Sequence, residues 1–198
     1  HVVELARVVE VLDRDQQPRP DTSLESLAKL PTVYGSPTVT AGNAPGINTG
    51  AAGLMITTRE KAEALGMKPL ATIIRVVSTA GQARGIAVAP AVAIKRGLEV
   101  TGLTLKDIKL IEINEAFAAM PLVSTKILGE NDETKIKQLR DIKNVNGGAV
   151  AIGHPVGASG LRITMTLINE LRRRGGGYGI AAICGGLAQG DAVILKVE

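Results

Sequence analysis

Three residues in this sequence stand where chemistry can be done: a thiol, an imidazole and a carboxamide, each next to glycines or a helix start. Cys184 follows the apolar run Gly179-Ile180-Ala181-Ala182-Ile183 and precedes Gly185-Gly186. A strand thus delivers a thiol to a tight turn whose backbone N–H groups can approach a substrate closely. A thiolate there can serve as nucleophile or base where a neighbour stabilises it; a lone cysteine is otherwise a small buried hydrophobe. His154 lies in GHPVGASG and is the only internal histidine. Pro155 biases it toward extended backbone, and the segment opens a helix whose N-terminal N–H groups favour negative charge. Its imidazole can donate to an oxyanion or accept a proton near neutral pH, the alternative being a loop residue exposed to water. Asn114 closes the apolar run 110–113 and opens the next helix. On spacing alone it reads first as an N-cap, with Glu115 explained by the helix dipole, although its amide can also hold a water or substrate.

Other signals carry less. Arg172-Arg173-Arg174 precedes Gly175-Gly176-Gly177, which is good chemistry for ending a helix and a better reading than an anion patch. GHPVGASG and GGLAQG are glycine-rich but match neither the phosphate-loop lysine pattern nor GxGxxG after a strand. No carboxylate or Cys/His cluster has metal-ligand spacing, so no metal is expected.

Residues of this kind need a scaffold, and the composition supplies one. The chain has 198 residues, 45% hydrophobic and 21% charged, with 23 glycines and a formal charge of +4. That is enough to bury a real core and excludes disorder. No apolar run approaches the roughly 20 residues that span a bilayer, so no membrane association is expected. Tyr34, Phe117 and Tyr178 are the only aromatics, too few for the stacking platforms of single-stranded nucleic-acid binders, so no nucleic acid is expected. The basic balance suits an anionic ligand without demanding one. One cysteine allows no internal disulfide and points to a reducing cytoplasm. The chain opens His1-Val2-Val3 without Met, as if cut from something longer.

The elements follow from periodicity and punctuation. Residues 2–12 are apolar with interspersed charge, and 13–20 read as loop. A short helix after Asp21-Thr22-Ser23 stops at Pro31, and 41–50 is a Gly/Asn-rich loop. From residue 51 the pattern is regular. Strands are expected at 51–57, 70–79, 110–113, 178–183 and 191–197, the last two as an antiparallel pair across a glycine turn. Helices are expected at 59–65, 90–100, 116–128 and within 156–174, the last with Leu161, Met165, Ile168 and Leu171 along one stripe. The stretch 129–143 is charged and reads as superficial. Strands alternating with helices indicate a layered α/β sheet, with ligands at the carboxyl ends of its strands.

Taken together, NEAF at 114–117, NVNGGAVAIGHPVGASG at 144–160 and CGGLAQGDA at 184–192 resemble the three C-terminal active-site blocks of the thiolase family, in order and spacing. AGNAPGINTGAAGLMI at 41–56 resembles that family's glycine-rich CoA-contact loop and following strand, and RPDTSLESLAKL at 19–30 the segment leading into it. The resemblance implies a thiolase-like C-terminal domain with a mixed five-stranded sheet flanked by helices. It divides the chain into the tail of a loop domain (1–49), the last strand and helix of the N-terminal domain (50–66) and the C-terminal domain (67–198).

The activity it implies is acyl transfer between CoA thioesters, by Claisen condensation of acyl-CoA or thiolysis of 3-ketoacyl-CoA, with coenzyme A or acyl-CoA as substrate and no covalently bound cofactor. Cys184 matches the cysteine that removes the α-proton. His154 matches the histidine that activates the nucleophilic cysteine and hydrogen-bonds the thioester oxygen. Asn114 matches the holder of the water that completes that oxyanion hole, and Gly186 the N–H donor of the second hole. Arg19 matches an arginine that contacts the CoA nucleotide, with Ala44, Pro45 and Gly46 in the CoA-contact loop. Pro45 replaces a serine common near the pantetheine, and CGGLAQG stands where relatives often have CIGGGQG. The family's acylated cysteine has no counterpart in this sequence. The missing N-terminal half is therefore an expected partner, the isolated chain is expected to be inactive, and a homodimer or homotetramer is implied for the full enzyme. Two alternatives remain: a non-catalytic module of the same fold that binds CoA thioesters or a partner, and a decarboxylating ketoacyl synthase.

Overall fold

A computed structural model describes residues 13–15 and 18–198; the apolar stretch 2–12 lies outside the described residues. The first helix, α1 (Leu24–Ala28), starts from a capping box in which Ser23 accepts from Ser26 N–H and the Ser26 hydroxyl accepts from Ser23 N–H. α2 (Arg59–Ala64) is capped by Thr58 and followed by Gly66 in the left-handed region. The sheet is built from β1 (Thr72–Ala80), β2 (Ile108–Ile113), β3 (Gly177–Gly185) and β4 (Gln189–Val197). Between them come α3 (Ala89–Thr101), α4 (Ala119–Leu128), α5 (Glu133–Asp141), α6 (Ala149–Ile152) and α7 (Ser159–Arg173).

The strand order is β1-β4-β3-β2, with β2 and β3 parallel and the other two pairings antiparallel. The sheet is mixed as expected, but it has four strands among the described residues, not five. The run 51–57, expected as a buried strand, forms none, and Met55 and Ile56 are 80% and 70% exposed. An apolar run becomes a strand only when a neighbour takes up its backbone N–H and C=O groups, and among the described residues none pairs with this one.

Two apolar layers sandwich the sheet. On one face Ile94 and Leu98 of α3 and Met120 and Leu128 of α4 pack with Ile111, Ile113, Ile180 and Ile194. On the other, Ile163, Leu167, Ile168 and Leu171 of α7 pack with Leu110, Ala181 and Leu195. The stripe expected on α7 is thus rotated, for Leu161 is exposed and Met165 only half-buried. The cause is the sheet: Gly179 has no side chain, and a Cβ there would sit 2.7 Å from Leu171 Cδ1 and 2.9 Å from Leu167 Cδ1. The helix settles over that gap. The segment 129–143, expected to be superficial, reaches the core, since α5, capped by Asp132, buries Ile136 and Leu139. No helix among the described residues is long and apolar enough to cross a membrane.

Candidate active site

β2 and β3 run parallel, so their carboxyl ends open at the same edge of the sheet, Ile113 pairing with Ala182. Asn114 follows directly, its N–H donating to Ala182 O at 2.9 Å. By register Asn114 stands level with Ile183, one residue short of Cys184 on β3, which at ordinary strand spacings puts the Asn114 and Cys184 α-carbons roughly 6 Å apart. Asn114 is not an N-cap: α4 begins five residues later, at Ala119. Nor does Glu115 face the α4 dipole. Its carboxylate accepts from Asn144 Nδ2 at 3.1 Å and from Val150 N–H at 3.1 Å, in the first turn of α6.

Asn144 extends β2 with its side chain. Its Oδ1 accepts from Ile113 N–H at 2.8 Å and its Nδ2 donates to Ile113 O at 2.9 Å, a mimic of a neighbouring strand. This fixes the direction in which the chain leaves β2. The Asn114 side chain, 1% exposed, then points to α7 and the segment before it. Its Oδ1 accepts from Arg162 Nη2 at 3.3 Å, and its Nδ2 lies 3.4 Å from His154 Nε2.

His154 is held at both ends. Its N–H donates to Asn48 Oδ1 at 2.9 Å, and it forms an isolated parallel bridge with Ile47. Its ring Nδ1 lies 2.6 Å from Ser159 Oγ, while the Ser159 hydroxyl donates to Pro155 O at 3.0 Å. With its own proton committed to Pro155, Ser159 accepts from Nδ1–H, which leaves Nε2 as the lone-pair nitrogen facing Asn114. Burial, and then the Arg162 charge, hold the imidazole below its usual pKa and so neutral. Such a ring is a base through Nε2 and, once protonated, a donor to a developing oxyanion.

Cys184 is half-buried against the α3/α4 layer, and burial pushes its thiol up. Strand register brings it to the same edge as Asn114; among the described residues no hydrogen bond joins it to Asn114 or His154. Gly186 opens the turn between β3 and β4, with open space where a Cβ would be. The next two residues, Leu187 and Ala188, both adopt left-handed backbone at φ 59°.

The loop 41–50 lies along this edge. Asn43 O accepts from Ala118 N–H at 2.9 Å, Asn48 holds His154, and a Cβ on Gly50 would meet Pro155 at 2.7 Å. Ala44 and Pro45, half-buried, and Gly46, exposed, are therefore carried to the flank of the His154 segment. Arg19 sits on an exposed turn ahead of α1, its carbonyl accepting from Thr22 N–H. Among the described residues no group of three His, Cys, Asp or Glu side chains could hold a metal. Reading the sequence missed Asn48, Asn144, Ser159 and Arg162 as parts of the site. Only Ser159 carried a signal, one turn into a helix that starts beside the histidine.

Comparisons with known proteins show what the chain is similar to. A family model described as the thiolase C-terminal domain matches residues 67–197, and one described as the thiolase N-terminal domain matches residues 2–60. An acetyl-CoA acetyltransferase of Syntrophomonas wolfei is 43% identical over 187 residues, covering 94% of this chain and 46% of that protein. The crystal structure of the Bacillus anthracis acetyl-CoA acetyltransferase superposes with TM-score 0.84 at 41% identity, covering 93% of this chain and 45% of that one. That of human mitochondrial 3-ketoacyl-CoA thiolase in complex with CoA does so with TM-score 0.80 at 38% identity, with the same coverage. The chain spans about half the length of these relatives.

Proposed function

The chain belongs to the thiolase family, and on that premise we propose that it forms the C-terminal part of an enzyme transferring acyl groups between CoA thioesters. The direction is Claisen condensation of acetyl-CoA or thiolysis of a 3-ketoacyl-CoA, the latter a step of fatty-acid breakdown. The observation that carries this reading is the pairing of Asn114 Nδ2 with His154 Nε2 at the sheet edge that also presents Cys184. Carbanion chemistry beside a thioester needs one base and fixed donors where negative charge develops.

In condensation, Cys184 as thiolate takes a proton from the α-carbon of the second acyl-CoA and becomes a thiol. A thiol whose pKa burial has raised is a stronger base once ionised, which suits a carbon acid. The new carbanion attacks the acyl carbon of an acylated cysteine, and that cysteine leaves as thiolate. In this reading the nucleophile is contributed by residues outside this sequence, whose one cysteine is Cys184. His154 activates that nucleophile and, with a water held by Asn114, steadies the thioester oxygen; Gly186 N–H serves the second oxyanion hole.

In the same reading residues 1–49 are the tail of the loop domain, 50–66 close the N-terminal domain and 67–198 form the C-terminal domain. Ala44, Pro45, Gly46 and Arg19 receive CoA, the full enzyme is a homodimer or homotetramer, and a reducing cytoplasm suits the single thiol. The test is thiolysis of acetoacetyl-CoA by the product of the open reading frame that carries this chain, against its Cys184→Ser variant. The variant should lose about 10²–10⁴ in kcat, the span of general acid–base catalysis. Unchanged thiolysis would overturn the reading in favour of a module that only binds CoA thioesters. The 198-residue chain alone should bind without turnover, and its intact mass should be unchanged after incubation with acetyl-CoA. An acylated Cys184 would refute that.

A further inference from the structure

Behind Asn114 stands a cation that the proposed chemistry does not use. Arg162, in the first turn of α7, reaches Asn114 Oδ1 with Nη2 at 3.3 Å, and its Nε is buried with no hydrogen-bond partner. A buried guanidinium N–H without a partner is costly, and such a group is usually traded away unless its position serves something else. Here it settles an ambiguity that the Asn114 amide cannot settle alone. A carboxamide can rotate by half a turn at almost no steric cost, exchanging its acceptor and its donor. Only one of the two orientations gives His154 Nε2 and a substrate oxygen a donor.

We propose that Arg162 is the positioning residue of this site: by holding Asn114 Oδ1 it directs Nδ2 toward His154 Nε2. The proposal rests on the acyl-transfer reading above for its catalytic meaning, but its physical content stands apart from it. The groups around the pair are all named by the fold. Arg162 is the charged group that acts on His154. Glu112, on β2 two residues before Asn114 and 3% exposed, feels the Arg162 charge, with Glu115, Lys143 and Glu170 as its other charged neighbours. The Arg162 charge therefore acts between a buried carboxyl and an imidazole, with the amide it orients beside the imidazole. A lysine would keep the charge; a methionine would keep the bulk and lose it.

The experiment is a proton NMR titration of the 198-residue chain, whose histidines are His1 and His154, with a His154→Gln spectrum for assignment. In the unsubstituted chain His154 should titrate below an ordinary imidazole, and the Asn114 side-chain amide protons should shift with the same midpoint. Arg162→Met should raise that midpoint and uncouple the amide; Arg162→Lys should leave the midpoint low. In the open-reading-frame enzyme Arg162→Met should lower kcat about 10²-fold, the scale of a misplaced catalytic group, with KM little changed. An Asn114 amide that still shifts with the His154 midpoint in a folded Arg162→Met chain would overturn the proposal. Should that variant not fold, the unsubstituted chain still decides, because an Asn114 amide indifferent to His154 protonation would overturn it equally. Loss of the acyl-transfer reading would show in the Cys184→Ser assay and leave these couplings intact, so the two failures are distinguishable.

Discussion

Glu112 stands in surroundings that its type disfavours. It is a carboxyl inside the layer between β2 and α7, with a pKa raised from 4.5 to about 7 by burial, against which Arg162 and Lys143 pull it down. A carboxyl raised on folding favours its neutral form in the folded state. The stability it confers is fully present below pH 4.5 and is lost as pH rises through about 7. Glu112→Gln should therefore raise unfolding free energy at pH 8 by about 3 kcal/mol and leave it unchanged at pH 4, read from urea denaturation at the two pH values. A gain equal at both would place the effect in packing. At this scale the sequence showed part of the site. Cys184, His154 and Asn114 were visible because each interrupts an apolar or glycine-rich run. Arg162 and Asn144 were not, because their partners lie 48 and 31 residues away and no local pattern marks such pairs.

Elements were legible wherever chain punctuation agreed with packing. Pro90 sits in the first turn of α3, and Gly102 ends it in the left-handed region. The three arginines that end α7 also read correctly: Arg172 and Arg173 lie in its last turn and Arg174 is its C-cap, and Arg173 and Arg174 pair with Glu170, whose carboxyl they and Asn146 hold down to about 2. Legibility failed where an element depends on its neighbours: the run 51–57 looks like a strand but pairs with nothing among the described residues. The turn from β3 to β4 is a different case, since its sequence argues against its conformation. Leu187 is 74% exposed at φ 59°, and so gains no burial to offset a left-handed backbone costing about 1–2 kcal/mol. Leu187→Gly should stabilise the chain by up to about 1 kcal/mol, after the greater entropy of an unfolded glycine, and raise the melting temperature by about 2–4 °C. No rise in a calorimetric scan would mean that the leucine side chain holds the turn by contacts of its own.

Over the whole molecule, apolar surface is distributed unevenly. Met55, Ile56, Leu65, Met67, Leu70, Ile73, Ile74 and Val76 are all exposed, on the run before α2, the connection after it and the edge strand β1. Edge strands with free backbone groups and apolar faces invite pairing with other chains. The 198-residue chain should associate with rising concentration in sedimentation velocity. Ile74→Lys with Val76→Lys should reduce that association while leaving the melting temperature within about 2 °C, since neither position belongs to the core. A doubly substituted chain that associates as before would move the contact elsewhere.

The strand order has a further consequence, for biosynthesis. β4 lies between β1 and β3, so Ala80 at the end of β1 pairs with Gln189, and Thr72 with Lys196. A ribosome makes β1 and β2 long before it makes the hairpin that joins them. At ordinary elongation rates of about 5–20 residues per second, β1 waits roughly 6–23 s without a partner. During that interval its aliphatic residues are open to any other strand or chaperone, and the histidine loop has no finished sheet edge to rest on. The site is completed only when the last strand closes the sheet.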